Sequence, residues 1–172
     1  MAVVRKDKLL AGYNGNLESV IVHNASDKQI EITNGLFVKL AGLMEGQREV
    51  VKGVLASEGD IAEDVLFIHN SEVMYDERLD KLRDFRIPAG KVARAYRLYD
   101  GDIVTLTDDL YTEKVVVGDK LVVKDKGKLG KPDLEANPDA LKQAKVVFEV
   151  IEASGRDIDP LMDAFAVKVS RN

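Results

Sequence analysis

The chain has 172 residues, and its hydrophobic fraction of 45% with 32% charged residues excludes wholesale disorder; one compact domain or two small lobes fit that length. It contains no cysteine, which excludes disulfides, thiolate metal sites and a cysteine nucleophile. The net charge is −5, with acids and bases interspersed, against the concentrated basic face that binding to nucleic acid requires. Five Phe, five Tyr and no Trp leave the core to Val, Leu, Ile and Ala, and the β-branched members of that set favour sheet.

Taken in chain order, the opening MAVVRKDKLL lacks the apolar core of a signal peptide. No apolar run approaches the roughly 20 residues that span a bilayer. The expectation is therefore a protein made in a cytosol-like environment, with no membrane partner. Residues 1–18 read as an N-terminal arm of little periodicity, carrying Val3, Val4, Leu9 and Leu10. Ser19 to Asn24 reads as a strand. Ile30 and Ile32 continue with period two to the turn Asn34-Gly35, and Leu36 to Leu40 follows as a second strand. Gly42 and Gly46 bracket Leu43-Met44-Glu45, and Arg48 to Leu55 resumes an extended pattern. Residues 56–63 read as a loop. The apolar run within Asp64 to Asn70 predicts a buried strand. From Asp76 to Phe85, Leu79, Leu82 and Phe85 recur every three residues on a charged segment, predicting a short surface helix that Pro88 ends.

Beyond Pro88, the β-runs Val92 to Tyr99 and Asp102 to Thr107 flank Asp100-Gly101 and predict a hairpin. Val115 to Lys124 repeats the device, with Gly118-Asp119 echoing Gly101-Asp102. Residues 125–138, rich in Gly, Lys and Pro, read as an exposed loop. Asn137-Pro138 predicts a short helix over Asp139 to Lys145. Val146 to Glu152 reads as a strand broken by Ala153-Ser154-Gly155-Arg156. A turn at Asp159-Pro160 leads to the last strand, Phe165 to Val169. The fold class expected is mainly β with a few short helices, as small β-barrel or sandwich lobes built on antiparallel hairpins. The arm at 1–18 precedes a first lobe at 19–87 and a second at 88–172, and the two could share one core.

The motifs for chemistry are sparse. His23 and His69 are the only histidines, each before an Asn at a strand end. A metal or acid–base pair competes there with rings satisfied by backbone groups. Asp100, Asp102, Asp108 and Asp109 would suit a hard cation, but they lack the EF-hand spacing, and Asp in turns needs no metal. Gly127-Lys128-Leu129-Gly130-Lys131 has the composition of a phosphate loop without its strand–loop–helix frame. Lys120 to Lys128 offers nucleic acid some charge but no interleaved aromatic, so a solvated strand and turn is the plainer reading. Ser57 and Ser154 have no arranged partner. No catalytic residue, metal or cofactor is assigned, and the expectation is a protein that is not an enzyme.

Gly35, Val38, Leu40, Gly42, Leu43, Gly46 and Glu49 form one ordered block, and Tyr75-Asp76 a second. Pro88-Ala89-Gly90-Lys91 with Ala93-Arg94-Ala95-Tyr96, Leu98 and Gly101-Asp102 forms a third, followed by Val117-Gly118-Asp119. In pattern, this series resembles the small head decoration, or capsid cement, proteins of tailed bacteriophages. The resemblance implies a structural virion protein on the outer capsid surface that stabilises contacts between capsomers, with the major capsid protein as partner and a homo-oligomeric state. It makes Val3, Val4, Leu9 and Leu10 candidate capsid-binding anchors, with Leu79 and Leu82 on the amphipathic segment as a second contact and the loop from Lys126 to Pro138 as a third. The alternative for the arm is a strand of the protein's own sheet. A neck or tail component, a β-barrel binding a small ligand or carbohydrate, and a metal-dependent hydrolase are the competing readings.

Overall fold

The computed structural model describes residues 2–8, 16–73 and 82–172. The fold is mainly β, a closed five-stranded barrel joined to a six-stranded sheet. The barrel strands are β2 (Leu17–His23), β3 (Phe37–Leu43), β4 (Val51–Leu55), β5 (Leu66–Ile68) and β6 (Ala93–Tyr96). They run β2-β4-β3-β5-β6 and close through the antiparallel pairing of β6 with β2; β2 and β4 are parallel. The sheet is β1-β7-β11-β10-β8-β9. Its strands are β1 (Val4–Lys8), β7 (Ile103–Thr107), β8 (Lys120–Lys124), β9 (Lys128–Gly130), β10 (Val147–Asp159) and β11 (Met162–Arg171). One short helix, α1 (Ala140–Gln143), and several 3-10 turns complete the described chain.

The two β-systems share one apolar core. Phe37 on β3 packs edge-on to Phe148 on β10 at 5.2 Å between ring centroids, and tilts against Phe67 on β5 at 5.6 Å. All three rings are fully buried. A backbone bond also crosses the junction: Gly127 N–H, between β8 and β9, donates to the carbonyl of Ala56 at 2.8 Å, and Ala56 N–H in turn donates to the Phe37 carbonyl within the barrel at 3.0 Å. Gly127 has φ +68, and a Cβ there would lie 2.3 Å from the Phe37 carbonyl oxygen. Only glycine allows both that conformation and that approach.

Several sequence expectations change in three dimensions. The turn at Asp100-Gly101 does not close a hairpin, because β6 pairs with β2 and β5 while β7 pairs with β1 and β11. The turn passes the chain from barrel to sheet. The boundary expected at 87/88 accordingly falls inside the barrel, since β6 supplies its closing strand. The expected arm contains β1, which pairs with β7 from Val4↔Leu106 to Lys8↔Ile103. Residues 125–138 are not wholly an exposed loop: they contain β9, and Gly127, Leu129 and Gly130 are buried. Ala153 to Arg156 does not end β10, which continues beside β11 through bulges at Val150/Glu152 and Ala153/Gly155. The proposed surface helix lies mostly outside the described residues; its last part, Leu82–Asp84, is a 3-10 turn.

The echo between Gly101-Asp102 and Gly118-Asp119 is a repeated structure. In each turn the glycine has a positive φ, +91 and +92, as position i+2 of a type II turn requires. The aspartate N–H donates back three residues, Asp102 to Tyr99 at 3.0 Å and Asp119 to Val116 at 3.1 Å. Its carboxylate accepts the N–H of that same residue, at 2.8 Å in both. Gly101 then donates to Val169 on β11, and Gly118 to Val150 on β10, each at 2.8 Å. The same turn thus attaches β7 and β8 to opposite flanks of the β10–β11 hairpin.

Candidate functional site

The expected contact residues fall in different environments. Val3 and Val4 are buried, 5% and 8% exposed, with Val4 in the shared core. β1 adds an edge to the protein's own sheet there, so these side chains face inward in this conformation. Leu9, Leu10 and Leu79 lie outside the described residues. Leu82 is 48% exposed at the start of its 3-10 turn.

The residues singled out for chemistry are held separately. His23 is buried, and its Nδ1 donates to the Ile21 carbonyl at 3.0 Å. His69 stacks on Phe67 with its Nε2 3.5 Å from Glu72. Asp102 is a turn cap, and Asp100 accepts the Asn172 N–H at 2.5 Å. Ser57 is part of a cap: its Oγ and N–H donate to Asp60 Oδ2 at 2.6 and 2.8 Å. Lys124, within the basic run from 120 to 128, is buried and paired with Glu58. Among the described residues no three His, Asp or Glu side chains come together as a metal set.

A groove that the sequence did not reveal lies at one end of the sheet, with a volume of about 520 Å³. The segment after β7 supplies Asp108, Asp109, Tyr111, Glu113 and Lys114, and β11 supplies Asp163 and Phe165. Thr107 pairs with Ala164, which brings the two stretches together. Phe165 is half-buried and stands edge-on to Tyr111 at 5.9 Å and 89°. The Tyr111 hydroxyl donates to the Phe165 carbonyl at 3.2 Å, and burial pushes its phenol pKa up, so it is a neutral donor. Asp109 accepts from the Thr107 hydroxyl at 2.7 Å, Glu113 from the Lys131 N–H at 3.1 Å, and Asp163 faces Arg156 at 3.5 Å. Among the described residues, four carboxylates against one lysine in its lining make the groove acidic. Its constituents lie about 50 residues apart in the chain, and of its acidic residues only Asp108 and Asp109 stood out in sequence, as candidate ligands for a hard cation.

At the opposite end of β11 is a smaller groove of about 320 Å³, lined by Lys120, Leu141, Lys142, Val147, Ser170 and Arg171. Arg171 donates to the Leu141 and Ala144 carbonyls near the end of α1, satisfying acceptors that a helix end leaves free. Lys142 bonds Asp139 at 2.8 Å and stays 83% exposed. No family model matches this chain, and neither a curated protein nor a solved structure matches it.

Proposed function

We propose that the protein is a structural component of a phage particle that docks on the outer surface of the capsid and ties neighbouring capsomers together. The observation that carries this reading is the fusion of barrel and sheet on one core. Phe37 and Phe148 interlock, and the Gly127 N–H bonds the Ala56 carbonyl across the junction. A body of that kind presents its contacts at fixed spacing and loses little conformational entropy on docking. Large apolar side chains stand on its turns and edges: Leu43 is 64% exposed, Val116 54%, Val117 56% and Leu161 67%. Such groups suit burial against a partner surface better than water. The net charge of −5 also limits competition from packaged nucleic acid.

Co-sedimentation with empty phage capsids tests the proposal. The expected result is saturable binding at a copy number set by the symmetry of the shell. Protein that stays in the supernatant at every ratio, with shells of several tailed phages, overturns it.

A further inference from the structure

The two grooves flank a single strand and carry opposite character. Asp163 and Phe165 lie near the start of β11, Ser170 and Arg171 at its end. Phe165 and Arg171 are six residue steps apart on the strand, roughly 20 Å at the usual rise. The first groove is lined by Asp108, Asp109, Glu113 and Asp163 against Lys114. The second is lined by Lys120, Lys142 and Arg171, with no carboxylate among the described residues of its lining. Their surroundings temper both charges without erasing them: Arg156 faces Asp163, Asp139 holds Lys142, and Glu149 lies across from Lys120.

We infer that the acidic groove takes the basic end of a second copy of this chain, so that copies associate head to tail. Lys120 and Lys142 of one copy meet Asp108, Glu113 and Asp163 of the next, and the aliphatic stem of Lys142 lies over Phe165. The grooves belong to different surfaces of one molecule, so the interface is heterologous. It gives a closed ring if the rotation between copies closes, and a filament otherwise. Complementary charge of this kind fixes partner orientation and speeds encounter. The inference stands apart from capsid docking, because it concerns the protein alone and its test contains no shell.

Sedimentation velocity of the purified chain, over a wide concentration range in low salt, reads the association directly. The average mass is expected to rise with concentration, and to fall back toward the monomer in about 0.5 M salt, where the screening length drops to a few ångströms. The acid-reversed variant Glu113→Lys/Asp163→Lys and the base-reversed variant Lys120→Glu/Lys142→Glu should each associate at least about tenfold more weakly by itself. Mixing the two reversed variants, or combining all four substitutions in one chain, should restore association. All four side chains are exposed, and circular dichroism with thermal melting verifies that each variant is folded. A wild-type chain that stays monomeric at every concentration overturns the inference. So does association that survives either reversal, or one that neither the mixture nor the combined variant restores.

Discussion

At the residue scale, Asp60 shows how a buried charge is kept. Burial pushes its carboxyl pKa up, but hydrogen bonds from Lys39 at 2.5 Å and from Ser57 outweigh it and hold the carboxyl below its usual 3.8. The same bond raises the Lys39 amine above its usual 10.5. Asp60 therefore contributes its stability in full above about pH 4, and loses it as pH falls through the lower folded-state value. The Lys39 contribution is present below the unfolded lysine value and is lost as pH rises through the raised one. Asp60→Asn should cost about 1–3 kcal/mol at neutral pH and flatten the acid limb of stability measured by urea unfolding. A variant as stable as wild type, with an unchanged acid limb, would contradict this account. Ser57 and Asp60, three apart in sequence, sit at a 3-10 turn after β4, but Lys39 comes from β3 and could not be assigned to them. Ser154 behaves oppositely: its hydroxyl is buried at the β10 bulge without a hydrogen-bond partner among the described residues. Ser154→Ala is expected to be neutral or stabilising by up to about 1 kcal/mol in the same measurement.

At the element scale, the paired Gly-Asp turns set where β7 and β8 join the β10–β11 hairpin. Gly101→Ala and Gly118→Ala force a side chain into a left-handed conformation and should each cost about 1 kcal/mol or more, read by thermal melting. Among the described residues nothing lies within 4 Å of a Cβ at either position, so the effect comes from backbone conformation. Gly127→Ala adds a collision with the Phe37 backbone to the same strain and should cost distinctly more. Equal losses at all three glycines would mean that the junction relaxes freely around residue 127. The sequence echo located both turns because each is local, completed within four residues. It misassigned the strands they join: whether Asp-Gly closes a hairpin depends on which neighbour captures the following strand, and that neighbour, β11, comes about 60 residues later.

For the whole molecule, one core spanning both β-systems predicts one cooperative unfolding transition. Phe37→Ala and Phe148→Ala remove facing rings and should each cost about 3–5 kcal/mol, with barrel and sheet losing structure together by calorimetry and by hydrogen exchange. Two separated transitions, with Phe148→Ala shifting only one of them, would divide the molecule at the junction. The two grooves of opposite charge sit at the two ends of β11, which borders both.

Composition and local pattern by themselves determined that this chain is mainly β, that turns lie at Asn34-Gly35, Asp100-Gly101 and Gly118-Asp119, and that Phe67 and its neighbours form a buried strand. These follow from backbone preferences and alternation over a few residues. Tertiary structure alone decided that Val4–Lys8 completes the sheet opposite β7, that β6 closes the barrel after Pro88, and that Asp108 to Lys114 meets Asp163 and Phe165 to form a groove. The physical reason is range: an edge strand or a groove wall is selected by apolar and hydrogen-bonding partners distant in the chain, which short-range periodicity does not encode.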